Sequence, residues 1–349
     1  MTECVAYHRS KHFSKTLSRV RSLLNQMVNT HGETILLSAS GTSAMEACIG
    51  SLLHPGDRVV VVDSGKFGHR WYELAKLFRL DIQYVNVPWG SVVSPLDIAK
   101  ALTPETKALL MQGCETSTGV YHPIGEISQV MRQYPSCLFT VDGITVLGVH
   151  PIDMEGDGID ILIGSSQKAM MAPPGVSTVS LSQKAINQLH TSTSMVLSLD
   201  LELKAQLNDL TCFTPAIHIV FAMQAALDMI FDEGLKHVYQ RHQRLSDLVR
   251  QSLLRAGLPL LVSDGQQAHG LTVVGPDLPW DVASWLAVCE TQYGLLLAPG
   301  QNKLKDQVFR IGHMGYCTKQ SVTAVLETLF LSLKGFYDLP TSIDSLIQD

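Results

Sequence analysis

Asp160-Ile161-Leu162-Ile163-Gly164-Ser165-Ser166-Gln167-Lys168 reads as a buried strand that opens into a polar turn and ends on a lysine. Upstream, Leu138-Phe139-Thr140-Val141-Asp142-Gly143 is a second apolar strand, ending on a carboxylate. Further apolar runs near 34–38, 58–62, 81–87, 107–111 and 176–181 alternate with amphipathic stretches or turns. Short apolar runs separated by helix-period segments predict an α/β fold with a mostly parallel seven-stranded sheet covered on both faces. In such sheets ligands gather outside the carboxyl ends of the strands, where Asp142 and Lys168 both fall.

An acid and an amine at consecutive strand ends suit pyridoxal phosphate chemistry. The lysine forms the Schiff base, and the carboxylate keeps the pyridine nitrogen protonated so that the ring accepts electrons. Neither residue carries this reading alone, because most lysines are solvated and a strand-end Asp is often a turn former. Three further segments point the same way.

In Ile35-Leu36-Leu37-Ser38-Ala39-Ser40-Gly41-Thr42-Ser43-Ala44-Met45-Glu46-Ala47 a strand meets a small-residue turn and then a helix running to about Leu53. Gly41, Thr42 and Ser43 sit at the predicted helix N-terminus, where backbone N–H groups and the dipole favour a phosphate. An ordinary N-cap is the plainer reading. In Val59-Val60-Val61-Val62-Asp63-Ser64-Gly65-Lys66-Phe67-Gly68, two glycines allow close approach around a ring that can stack on a cofactor. A core Phe in a βα turn is the alternative there. Cys114-Glu115-Thr116-Ser117-Thr118-Gly119 is a polar turn, either a set of donors to a phenolic oxygen or a solvated loop.

In this order the segments resemble the class V aminotransferases of the alanine–glyoxylate, serine–pyruvate and 2-aminoethylphosphonate–pyruvate type. The matching stretches are 40–47, 65–71, 115–120, 141–142, 165–169, Ala172-Pro173-Pro174-Gly175 and Phe309-Arg310-Ile311-Gly312, which span nearly the whole chain. The resemblance implies a fold-type I, pyridoxal 5'-phosphate-dependent transaminase. It would move an amino group from alanine or serine to glyoxylate or pyruvate, by a ping-pong route through an aldimine on Lys168. Carried over by position, Lys168 and Asp142 are catalytic, Phe67 stacks on the ring and Thr116 approaches the phenolic oxygen. Gly41, Thr42, Ser43 and Gln167 hold the phosphate, and Arg310 grips the substrate carboxylate. A planar guanidinium suits that last task, and in an apolar strand an unpaired charge would be costly.

The resemblance also implies a homodimer, with Thr214 reaching the partner's phosphate. Two departures stand out. The family's N-terminal segment precedes a His-Arg-Ser motif, yet here His8-Arg9-Ser10 comes almost at once, so either that segment is absent or Met1 is not the original start. The family's Tyr before Thr-Pro is Phe213 here. A cysteine desulfurase would place histidines where Phe67 and Gln167 stand. A 2-aminoethylphosphonate–pyruvate transaminase and a non-catalytic accessory protein on the same fold remain as alternatives.

The organisation reads as two domains. Residues 1–240 form the large cofactor domain with its N-terminal helix, and 241–349 form a small α+β domain. A long helical stretch runs from Pro215 to about Ala256, with Asp228, Glu233, Arg241, Arg244 and Arg250 on one charged face. Strands then follow near 258–262, 270–274 and 308–311, with a helix near 280–291.

With 26 Lys+Arg against 32 Asp+Glu the chain is mildly acidic, which argues against a nucleic-acid groove. Hydrophobic residues make up 46%, but no apolar run reaches the roughly 18 residues of a membrane span. Seven cysteines without Cys-x-x-Cys spacing indicate neither a metal site nor a disulfide framework, and fit a reducing, cytoplasmic setting. The basic, Ser-rich stretch 8–21 reads as a first surface helix rather than a transit peptide. The C-terminal Ile347-Gln348-Asp349 is no peroxisomal signal.

Overall fold

The structure, a computed structural model, describes residues 7–348. The expectations that bear on the chain's start at Met1 and on its last residue, Asp349, lie outside the described residues. In chain order the strands are β1 (Glu33–Leu37), β2 (Arg58–Asp63), β3 (Asp81–Asn86), β4 (Ala108–Gln112), β5 (Cys114–Glu115), β6 (Val120–Tyr121), β7 (Leu138–Asp142), β8 (Ile161–Ser165), β9 (Ser177–Leu181), β10 (Leu271–Val274), β11 (Ala298–Pro299) and β12 (Phe309–Gly312).

Seven of them form one sheet in the order β1-β9-β8-β7-β4-β2-β3. β9 runs antiparallel to both of its neighbours, and the other pairings are parallel. The sheet is the one expected from the apolar runs. Its strands alternate between two cores. Val60, Val62, Leu109, Met111, Phe139 and Val141 face one, and Val59, Val61, Ala108, Leu110, Leu138 and Ile163 face the other. A two-residue side-chain period makes this split, so a strand buried on both faces must be apolar throughout, as 59–62 is.

Registry sets the site. Asp142 pairs with Gln112 on β4 and Ile163 on β8, so β4 and β7 finish together and β8 runs two residues further. The N-terminal stretch folds as a helix, Lys11–Met27, capped by Ser10, whose hydroxyl accepts from Phe13 N at 3.2 Å. Phe13, Leu17, Val20 and Leu24 are buried beneath it. Arg21 is buried as well, paired with Glu33 at 2.5 Å, so this helix presents only part of itself to solvent.

After residue 216 the chain departs from the single long helix expected. There are two, Ile217–Glu233 and Leu235–Arg255, broken at Gly234, whose φ of 85° lies in the left-handed region glycine favours. Arg250 does not lie on the charged face. It is buried and donates to the Ala268 carbonyl, because its side of the helix packs toward the C-terminal sheet. The run 258–262 makes only an isolated bridge, Leu260 to Val274, instead of a strand. β12 lies between β10 and β11, antiparallel to both. A third core joins these strands to the helices Val282–Tyr293 and Lys319–Ser332. Residue 240 falls inside the Leu235–Arg255 helix, whose Val238 joins the first core while Leu245, Val249 and Leu253 join the third. No described helix is long and apolar enough to cross a membrane.

Candidate active site

Asp142 closes β7 and is 6% exposed. Its Oδ1 accepts from Ile144 N at 3.0 Å, and no described donor takes Oδ2. Burial pushes its carboxyl up to about 6, against the pull of the Arg70 and Lys168 charges. Lys168 lies three residues beyond the end of β8, half-buried, with no hydrogen bond or ion pair to the described residues. Burial first, and the Arg310 charge second, hold its amine below the usual lysine range, while Asp142 opposes them. Lys184, by contrast, is engaged with Asp160 at 2.7 Å and the Cys137 carbonyl at 2.8 Å.

The helix Gly41–Leu52 starts beside this pair. Ser40 caps it, accepting from Ser43 N at 3.2 Å, so the plainer N-cap reading holds for that one N–H. The Gly41 and Thr42 N–H groups have no acceptor among the described residues, as helix geometry leaves them. A Cβ on Gly41 would come within 2.2 Å of Ile144 Cδ1, so the helix start lies against the 142–145 turn and a larger residue there would make the Ile144 side chain shift.

Phe67 lies in the first turn of the helix Lys66–Leu77, not in the loop before it. Sequence reasoning gave Arg70, one turn on, no role. Its guanidinium lies 4.8 Å from the Phe67 ring centroid and donates to Thr42 Oγ1 at 2.9 Å. One cation thereby joins the ring, the helix start and, through its field, Asp142. A basic residue at i+3 from the aromatic was the available signal.

In the sequence Glu115 is only one residue of a polar turn. Its carboxylate is fully buried and accepts from Phe67 N at 3.0 Å, Gly68 N at 2.9 Å, Ser117 N at 3.1 Å and Ser117 Oγ at 2.6 Å. A lone acid among hydroxyls, facing the Gly65–Gly68 pair, was the trace it left in the sequence.

Thr116 Oγ1 lies 3.0 Å from Thr145 Oγ1, and the Thr116 carbonyl accepts from Arg310 Nη1 at 3.0 Å. Arg310 also donates from Nε to the Pro299 carbonyl at 3.1 Å. This brings β12 of the C-terminal sheet onto the turn between β5 and β6, just past the end of β4. Burial lowers the Arg310 pKa while the Glu115 charge supports it.

Two expected residues stand apart. Gln167 is exposed and is held by Ser165 Oγ. Thr214 is exposed, and its side chain bonds to no described residue. The Phe213 ring beside it is 42% exposed.

Among the described residues, the groups left open are two helix N–H donors, one carboxylate oxygen at a strand end and an amine without a bonded partner, beside an aromatic ring and a guanidinium. They match in kind the phosphate, the ring nitrogen, the aldehyde and the flat face of pyridoxal phosphate, so the residues present fit that cofactor.

Among curated proteins, the "Soluble hydrogenase, small subunit" of Synechococcus sp. (strain PCC 6716) is 35% identical over 328 residues, covering 92% of this chain and 85% of that protein. The serine–glyoxylate aminotransferase of Methylorubrum extorquens is 30% identical over 319 residues, 87% of this chain and 79% of that one. Among solved structures, the alanine–glyoxylate aminotransferase of Nostoc sp. superposes with a TM-score of 0.90 at 29% identity, covering 95% and 90% of the two chains. The sequence profile described as Aminotransferase class-V matches residues 3–288. This protein belongs to the class V aminotransferase family and has its fold-type I architecture.

Proposed function

We propose that this aminotransferase moves an amino group from alanine or serine to glyoxylate or pyruvate at the Asp142–Lys168 site. The observation that carries this reading is the Lys168 amine. It is half-buried, without a hydrogen-bond or ion-pair partner among the described residues, and set in the fields of Asp142 and Arg310. Pyridoxal phosphate, which the family implies, supplies when bound an aldehyde that captures the substrate amine and a ring that accepts the electron pair left on Cα.

The chain's own groups do the rest. The Arg310 guanidinium, tethered by two carbonyls, holds the substrate carboxylate. The Lys168 amine takes the proton from Cα and returns it to the cofactor carbon. A lowered pKa suits that task, since more of the amine is neutral and able to accept. Asp142 stays ionised against the ring nitrogen. Phe67, backed by Arg70, stacks on the ring. Gly41, Thr42, Ser43 and Gln167 hold the phosphate, and Thr116 approaches the phenolic oxygen. The amino group stays on the enzyme between two half-reactions, so the kinetics are ping-pong.

Thr214 is exposed and its side chain bonds to no described residue, which fits delivery to a second copy's phosphate in a homodimer. Two domains, 1–240 and 241–349, and a cytoplasmic location complete the reading.

The test is a half-reaction panel followed by visible absorption. Alanine, serine and 2-aminoethylphosphonate serve as donors, and glyoxylate and pyruvate as acceptors. Turnover with alanine or serine supports the proposal. Turnover with 2-aminoethylphosphonate alone favours the phosphonate alternative, and failure to bind pyridoxal phosphate after reconstitution refutes the reading. The hydrogenase-subunit name of the Synechococcus relative favours a second reading, an accessory role on the same fold. Under it the chain binds the cofactor but turns over none of these pairs.

A further inference from the structure

The Lys66–Leu77 helix has an unusual start. Its N-cap residue, Gly65, has no side chain to bond the first N–H groups. All three are bonded instead by a turn some fifty residues away in sequence. Lys66 N donates to Ser117 Oγ at 3.1 Å, and Phe67 N and Gly68 N donate to Glu115 Oε2. Uncapped helix N–H groups and the positive dipole end favour a carboxylate there. The other carboxylate oxygen, Oε1, holds Ser117 through both N–H and hydroxyl. Both oxygens are thus doubly satisfied at a fully buried site.

The neighbouring Gly65 is shaped by this acid. The Gly65 backbone is extended, so any residue could adopt it. A Cβ there, however, would lie 2.5 Å from Glu115 Cδ and from Ser117 Oγ. A Cβ on Gly68 would lie 2.6 Å from the Val62 carbonyl. Gly65 therefore lets the helix start sit down on the turn, and Gly68 lets the same helical turn lie against the end of β2.

The same turn carries the Arg310 tether, through the carbonyl of the residue after Glu115. We propose that Glu115 is a positioning residue that fixes the Phe67 ring platform and, through the Thr116 carbonyl, the Arg310 carboxylate clamp in one register. Cofactor face and substrate clamp are then set by a single buried acid that touches neither ligand. This rests on the aminotransferase reading of Phe67 and Arg310.

The test uses the full-length chain with Glu115→Gln. A glutamine amide must turn its NH2 toward either the Phe67–Gly68 pair or Ser117, so either both helix N–H bonds or the Ser117 N–H bond becomes a repulsion. Hydrogen exchange followed by mass spectrometry, without cofactor, should show protection of segment 65–70 falling by about tenfold or more. Titration with pyridoxal phosphate should show affinity weakened by about tenfold, with an altered circular dichroism band of the bound cofactor. KM for both the amino and the keto acid should rise, because both use Arg310.

Ser117→Ala, which removes one donor and the Lys66 contact but leaves the acid, should give the same pattern at smaller amplitude. It keeps the test decisive if Glu115→Gln does not fold. A lower melting temperature with unchanged exchange in 65–70, unchanged cofactor dichroism and unchanged KM would overturn the proposal, since that is a merely structural residue. A wild-type chain that binds no pyridoxal phosphate would instead sink the aminotransferase reading, while the exchange arm would still judge the clamp.

Discussion

Asp142→Asn should make the cofactor-free protein more stable while it damages the enzyme. Burial raises the Asp142 carboxyl from 3.8 to about 6. Between those values the folded chain binds a proton that the unfolded chain has released, so stability falls as pH rises through that window. Above pH 6 the full cost is present. Two pH units at 1.36 kcal/mol each make it about 3 kcal/mol. An asparagine stays neutral, and its Oδ1 still accepts from Ile144 N, so the variant escapes that cost.

At pH 8 the gain is then about 3 kcal/mol, and roughly half of it survives at pH 5. An unfolding entropy of about 2.1 cal/mol/K per residue converts this to a rise of about 4 °C in melting temperature for a chain of 349 residues. Differential scanning calorimetry of both proteins at pH 8, 5 and 4 reads it directly. Equal melting at pH 8, or a difference that widens on acidification, would refute the reasoning and show that water already solvates the carboxylate. With cofactor the order reverses, because an ionised Asp142 faces a protonated ring nitrogen. The variant should then transaminate slower by orders of magnitude.

Other outcomes follow from the same geometry. Borohydride reduction of the reconstituted protein should fix pyridoxal phosphate on the peptide containing Lys168 and leave Lys184, which is held by Asp160 and Cys137, unlabelled. Lys168→Ala should still bind the cofactor without a covalent bond and lose turnover. Arg310→Lys keeps the charge but loses the planar fork, so KM for amino and keto acids should rise roughly 10- to 100-fold with a smaller change in cofactor affinity, read by steady-state kinetics and titration. Phe213→Tyr should tighten cofactor binding and Thr214→Ala should weaken it in a chain that sediments as a dimer at micromolar concentration. A fully active monomer would dismiss the proposed contribution of Thr214 to a second copy.

The seven strands of the large sheet, the helix after Ser40 and the strand-end placement of Asp142 and Lys168 were legible in the sequence by itself. Each is a local matter: a β-branched run long enough for one strand, a small-residue turn, a polar residue where an apolar run stops. The chemistry of an acid and an amine at adjacent strand ends needs no distant partner to be noticed. The break at Gly234 was also written locally, but the amphipathic pattern on either side of it reads as one helix until the backbone is seen.

Other features were decided only by the tertiary structure. Glu115 reaches Phe67 and Gly68 across 48 and 47 residues, and Arg310 reaches the Thr116 carbonyl across 194. Arg250 stands among the charged residues of its helix and is buried all the same. Hydrogen bonds between distant segments impose no period on either segment, and a buried charge looks like an exposed one until its carbonyl partner is in place. The composition of the site was therefore carried by short motifs. Its geometry was carried by sheet register and by one buried acid, which closes the start of a helix whose own cap residue has no side chain.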